Sequence, residues 1–498
     1  MVLDAVVQAL HNFATVELWL MIFAGMVIGL MFGIIPGISG MVACALILPF
    51  VFTMTPQQAL PLMMTIMATQ FMGGSISAIL VNMPGTPQSA ATLIEGFPMT
   101  QKGEAGRALG AAEVSSGLGN IITALVALAI VPLILPMVMA IRSADMVFII
   151  LLGITFIGAL STGSMIKGLI SGGLGLLIAL IGFQHTTGIS RFTFGSLYLY
   201  DGIPLIPLAL GLFAVPEMIA VATRGGTIAK TQVEIKGMQD VWRGARDVLH
   251  HKWLVLRCDI IGFIAGIVPG VGASAATFIA YGHAKQSSKH PERFGTGTVE
   301  GVIAAESANN ASEAGALLTT LALGIPGSGI MAIMLGAILM LGIAPGPEML
   351  TLHLGLSLTL IWVIAVSGVI AATICLFLAP HLSRIAFIPG RVLVPLVLVI
   401  ALVGAFTFHE LFNDIIVTFV FGGVGLIMRR YGYNRPALFL GYILGRLLEK
   451  YFFIALKTAG PLFFMRPISL SSIFLMIAVI AYGPVKNTIQ RRRGAIKT

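Results

Sequence analysis

Apolar helical sequence runs from Ala59 to Val81, stops at Asn82, is interrupted by Pro84-Gly85-Thr86-Pro87, and restarts as a small-residue helix at Gln88. Proline has no N–H to donate and glycine leaves the backbone loose. A Pro-Gly pair at membrane depth therefore strands polar groups unless protein or a water-filled cavity receives them. Such a break belongs on a pathway inside the protein, not against lipid. Composition places it at that depth. Of the 498 residues, 57% are hydrophobic and 10% charged, and the mean hydropathy is +0.99, which leaves too little polar surface for a soluble chain of this length. Roughly 10 to 13 spans fit at about 20 residues each. The 58 glycines and 24 prolines point to helices that are interrupted or closely packed.

The net charge of +9 sits in short loops and at the C-terminus, the pattern of positive-inside loops against membrane lipid, not of a nucleic-acid surface. Cys44, Cys258 and Cys375 fall in or beside apolar runs without paired spacing and read as core residues. No basic residue precedes the first apolar run, so the first span is itself the insertion signal. No Gly-x-Ser-x-Gly elbow and no phosphate loop occurs. His409-Glu410 lacks the second ligand of a zinc-protease helix, because Asn413 stands four residues after the histidine. The chain reads as a non-enzyme without a cofactor.

Apolar runs continue to about Ala222, followed by a polar segment, 223–252, in which six basic residues face three acidic ones. After it the pattern restarts. Gly29, Gly33, Pro36 and Gly37 match Gly262, Gly266, Pro269 and Gly270 at a displacement of 233, and Pro84-Gly85-Thr86 matches Pro326-Gly327-Ser328 at 242. This divides the chain into a first transmembrane repeat (1–222), a cytoplasmic basic linker with an amphipathic helix (223–252), a second repeat (253–466), and an extra C-terminal span with a basic tail (467–498). The predicted fold is an all-α polytopic membrane protein. Paired broken helices in two halves are the sequence pointer to a secondary transporter's binding site. A channel and a membrane scaffold whose breaks serve only packing are the other readings.

A helix that begins at a break offers free N–H groups and the positive end of its dipole, which suits a carboxylate. Asn82, Pro84, Gly85, Thr86 and Ser89 in the first half, with Pro326, Gly327 and Ser328 in the second, are the predicted substrate site, and it needs few buried arginines. Gly37, Gly40, Gly270 and Gly272 are predicted helix-break glycines. Glu306, Asn309, Asn310 and Glu313 recur at helical spacing on one face of an apolar run, where carboxylates cannot face lipid. That face is predicted to couple an ion, sodium or a proton. Asp201 and Asp259 sit at segment ends and read as interfacial, and Lys102, Glu104 and Arg107 as solvated loop charges.

Longer phrases carry a family likeness. GIIPGISG, GGSISAILVNMPGTPQSAAT and EGFPMTQKGEAGRALG in the first half, with GIVPGVGAS, KHPERFGTGTVEGV, AAESANNASEAGALLTTLALGIPGS and GIAPGPEML in the second, resemble the large membrane subunit of the tripartite tricarboxylate transporters. The loop Gly182 to Gly195 departs from the pattern, with Gln184-His185 where an acidic residue is expected. The resemblance implies a multi-pass protein of the bacterial inner membrane. It further implies a periplasmic binding protein that captures a carboxylate, a small membrane subunit beside the large one, and an ion gradient that drives import.

No Lys or Arg precedes Lys102, which predicts a periplasmic N-terminus, while the basic linker predicts a cytoplasmic one for 224–252. The first half then crosses an odd number of times, and the second repeat is inverted. The unmatched run Ile468 to Tyr482 returns the chain to the cytoplasm, where Lys486 and Arg491-Arg492-Arg493 belong.

Overall fold

A computed structural model of the protein describes residues 2–160, 164–184, 188–224, 237–382, 384–385 and 388–495. The chain opens with α1 (Val2–Phe13), then α2 (Val16–Ile34), α3 (Gly40–Val51), α4 (Pro56–Val81), α5 (Ala90–Gln101) and α6 (Ala105–Met139). Next come α7 (Ser143–Leu160), α8 (Met165–Ala179), a hairpin of β1 (Gly182–Phe183) with β2 (Ser190–Arg191), and α9 (Leu205–Ala209), which passes through a π turn into α10 (Val215–Arg224). Helices alone make up the rest of the described chain. It runs through α11 (Met238–His250), α12 (Lys252–Ile267), α13 (Gly272–Ser287), α14 (Val299–Leu323), α15 (Gly329–Met340), α16 (Pro347–Thr351) and α17 (Leu354–Leu382). It ends with α18 (Gly390–His409), α19 (Phe412–Tyr431), α20 (Arg435–Ala459) and the unmatched α21 (Pro467–Ala495).

Among the described residues seven helices are long and apolar enough to cross a membrane singly, and further apolar helices are of 10–17 residues, among them α3 and α15, each of which starts after a break. The breaks themselves are built alike. Gly37 and Gly270 have φ of 89° and 86°, a left-handed turn that only glycine takes without strain. α4 ends at Asn82 and α14 at Gly324, both left-handed caps, and the two positions are 242 apart.

Backbone packing follows the same displacements. Side chains added at Gly29 and Gly33 would run into the Ile66 and Gln70 carbonyls; at Gly262 and Gly266 they would run into those of Ala308 and Ser312. A Cβ on Gly85 would lie 2.8 Å from Gly74 Cα, and one on Gly327 would lie 2.5 Å from Ala316 Cα. Ser77 donates to the Ile34 carbonyl, and Thr319 donates to the Ile267 carbonyl at 3.0 Å. With no hydrophobic force between helices in lipid, this backbone contact through glycine is what holds them.

The helix predicted in the basic linker, α11, also has a counterpart. It crosses α6 where Gly110 meets Val241, and α1 crosses α17 where Gly355 meets Gln8, so each set of helices opens with an amphipathic helix. The preceding stretch of the linker, 225–236, lies outside the described residues, as do the side chains of Lys486 and Arg491-Arg492-Arg493. α21 is held to α7 through buried Asp145, which accepts from Arg466 at 3.0 Å and from Ser469 at 2.7 Å.

Gly33→Leu and Gly266→Leu should each cost at least about 1–3 kcal/mol through overpacking. A clearly lowered melting temperature of the purified protein would register this. Gly173→Ala, where an added Cβ meets nothing within 4 Å, should leave it unchanged or slightly raised.

Candidate functional site

The two breaks of the first half come together. Residues 36–39, between α2 and α3, and 83–87, between α4 and α5, form one side of a cavity of about 460 Å³, which Phe213, Glu217, Arg429, Arg435 and Pro436 close from the other. Glu217 accepts from Arg429 and from Arg435, each at 2.8 Å, with the three side chains 16%, 34% and 18% exposed. Two guanidinium groups against one carboxylate leave the wall with one positive charge in excess.

Local structure sets these side chains. α19 ends at left-handed Gly432, and Asn434 caps α20 by accepting from the Ala437 N–H at 2.9 Å, which starts α20 with Arg435 at its rim. The π turn at 210–214 presents the Leu212 carbonyl to Arg435 at 3.2 Å. The sequence predicts an anion site with few arginines, and two line the cavity. They lie more than 200 residues from Glu217, so only the fold brings them there; Asn434-Arg435-Pro436, a helix start after a glycine stop, is the local signal.

Of the predicted substrate residues, Pro84, Gly85 and Thr86 line the cavity, as does Gly37. Ser89 sits behind them, its hydroxyl 2.9 Å from that of Thr86, and Asn82 is exposed as the α4 cap. Gly85 is demanded by packing as much as by any ligand, since its Cα lies against the backbone of Gly33 and Gly74. Gly40 is buried against Gln70, whose Oε1 accepts its N–H at 2.7 Å. Pro326 and Gly327 are buried, with the Gly327 N–H donating to Thr320 Oγ1 at 3.4 Å, and Ser328 caps α15 by accepting from the Met331 N–H at 3.3 Å. Beside Ser328, a Cβ on Gly329 would stand 2.9 Å from Met41 Cε and 3.0 Å from Pro436 Cγ, both from residues lining the cavity. The second half's break thus abuts the same space. Gly270 packs instead on α7 at Phe156 and Ile157, and left-handed Gly272 begins α13.

Glu306, Asn309, Asn310 and Glu313 lie on α14, and all are buried. Thr92 of α5 donates to Glu306 Oε1 and Ser116 of α6 to Oε2 at 3.0 Å; Asn310 Nδ2 donates to the Ala68 carbonyl at 3.2 Å. Both amide atoms of Asn309, Asn310 Oδ1 and Glu313 Oε2 have no hydrogen-bond partner in the protein. Asp259 does not sit at the interface. It is buried on α12 with neither carboxylate oxygen partnered, and the space beside Gly119 that a Cβ would fill lies 3.0 Å from both Asp259 Oδ1 and the Ser307 carbonyl. Glu113, whose carboxylate lies beside the buried Cys375 thiol, and Asn120 of α6, whose amide has no partner, are equally buried and are not among the predicted residues, though a lone glutamate within a 35-residue apolar helix is a signal. Among the described residues no three His, Cys, Asp or Glu side chains converge as metal ligands, so a cation here would draw on amide, hydroxyl and carbonyl oxygens.

A short 3-10 turn (Pro87–Ser89) and α5 together join the two regions. Thr86, Ser89 and Thr92 step by three residues from the cavity wall into α5, and Thr92 ends on Glu306. Glu95, one turn on, accepts from the N–H groups of Gly295, Gly297 (2.7 Å) and Thr298 (2.9 Å) and from the Tyr281 hydroxyl (2.7 Å), fixing the loop that starts α14. Farther off, Arg107 is not a purely solvated charge, because it pairs with Asp247 of α11 at 2.6 Å. In the loop that departs from the family pattern Arg191 makes a two-pronged pair with Glu449 at 2.8 Å; residues 185–187 are outside the described residues.

A family model described as the tripartite tricarboxylate transporter TctA family matches residues 19–440. A protein of Agrobacterium vitis described as an uncharacterized 52.8 kDa protein in the TAR-I ttuC' 3'region is 34% identical over 468 residues, 93% of this chain and 92% of that one. Another from Agrobacterium vitis, described as an uncharacterized protein in the TAR-II ttuC' 3'region, is 32% identical over 228 residues, 45% of this chain and 94% of its own. No solved structure matches.

Thr92→Val removes a hydroxyl donor from a buried carboxylate and should cost about 1–3 kcal/mol. Thermal unfolding of the purified protein would read it. Thr373→Val, at an exposed hydroxyl bonded within its own helix, should stay near neutral.

Proposed function

Because this chain belongs to the tripartite tricarboxylate transporter TctA family, we propose that it imports a small organic carboxylate across the bacterial inner membrane, driven by a sodium or proton gradient. A periplasmic solute-binding protein delivers the solute, and a small membrane subunit stands beside this one. The observation that carries the reading is the stretch from Thr86 to Thr92, which leads from a cavity edged by two arginines into α5 and to a buried glutamate. A scaffold that used its breaks for packing alone has no need of either end.

In this reading the solute carboxylate enters between the break loops and the Arg429–Arg435 pair. It competes with Glu217 for charge-assisted hydrogen bonds, and the start of α5 adds its dipole. Sodium or a proton binds on the Glu306 to Glu313 face. Either event shifts α5, because a hydroxyl ladder links the sites. The chain then works by alternating access, with a repeat over 1–222, an inverted one over 253–466 and the added span at 467–498. The N-terminus is periplasmic, and the 223–252 segment and the tail are cytoplasmic. Two sets of matched glycine contacts support the duplication; the charge distribution supports the inversion.

Uptake of labelled carboxylates into proteoliposomes, with both partner subunits and an imposed ion gradient, tests the proposal. Failure to accumulate any of them would sink it. Arg435→Gln removes one charged donor worth about 1.5–3 kcal/mol, so KM should rise roughly ten- to a hundredfold. Glu313→Gln should alter the dependence of uptake on sodium or pH while protein abundance holds, and an unaltered dependence would remove that face from ion coupling.

A further inference from the structure

In the second half, Trp242 of α11 meets Phe377 of α17 edge to face, ring centroids 6.4 Å apart. The displacements that relate the crossings of the amphipathic helices, 233 from Gln8 to Val241 and 245 from Gly110 to Gly355, place Ala9 and Pro132 at the matching positions in the first half. Neither is large enough to fill that space. Both line a groove of about 510 Å³ between α1, α6 and α17, walled by Val6, Phe13, Leu128, Leu358 and other apolar side chains, with the Trp362 ring among them. Val2, Val6, Leu10, Pro132 and Trp362 stand exposed around it, so in a membrane-spanning chain it opens to the bilayer.

An apolar wall left without facing atoms loses its dispersion contacts, and lipid is the apolar medium at hand. A partner helix does not suit the space. With side chains a helix is about 10–12 Å across, so this volume takes about one turn of it. A single extended hydrocarbon chain needs no such width, and each buried CH₂ adds to its retention. We infer that the groove holds one acyl chain of a membrane phospholipid, which does for the first half what the Trp242 and Phe377 rings do for the second.

Native mass spectrometry of the full chain tests this, after delipidation in dodecyl maltoside and titration with palmitoyl-oleoyl phosphatidylethanolamine. The unaltered chain should retain one phospholipid. Ala9→Trp combined with Pro132→Phe should abolish that retention. Trp242→Ala, at a half-exposed ring whose loss does not threaten folding, should open the counterpart groove and add a second bound lipid. Equal lipid retention by the unaltered chain and both variants would overturn the inference. A photocrosslinker at Leu10 that captures a polypeptide in native membranes instead of phospholipid would overturn it too.

Discussion

Every break in a helix at membrane depth frees backbone N–H and carbonyl groups, and in this chain they must be answered by protein. Glycine makes the answer geometrically available. With Gly33, Gly74 and Gly85 stacked backbone to backbone, the break of the α2–α3 pair and that of the α4–α5 pair reach one another, and Gly266, Ala316 and Gly327 repeat the arrangement. Larger side chains there would separate the loops, expose their polar groups and dissolve the cavity between them. The site is thus a by-product of how the breaks are stabilised, and its position follows from the glycine stripes.

Much of this architecture was legible in the amino-acid sequence because it is encoded locally. The Pro-Gly breaks, the repeated glycines and the Glu306 to Glu313 face all rest on spacings within a few turns, which helical geometry converts directly into position. What escaped was encoded by distance. Arg429 and Arg435 look like loop charges until α10 brings Glu217 to them. Asp259 looks interfacial because it follows Arg257 and Cys258, yet Gly119 of α6 leaves room for it in the interior. α1 gave no sign of being the partner of α11, since the two share an amphipathic pattern and a crossing point but no sequence phrase.

α5 carries an unusual share of the connections. The turn that precedes it, at Thr86 and Pro87, borders the cavity, its first turn reaches Glu306 through Thr92, and its second, through Glu95, fixes residues 295–298 at the entrance to α14. A helix belonging to the first half is thereby fastened along its length to the second half. On the reading proposed above, motion of the two sets of helices against one another would act on that fastening.

The single excess positive charge around the cavity has a consequence for electroneutrality. An anion of one charge would neutralise it outright. One carrying two or three charges would leave the cavity negative in a low-dielectric interior, since Arg429 and Arg435 are the basic side chains that line it. On the reading proposed above, cations entering with such a solute would restore the balance. The charge on the cavity wall would then tie the two species together without regard to any detail of motion.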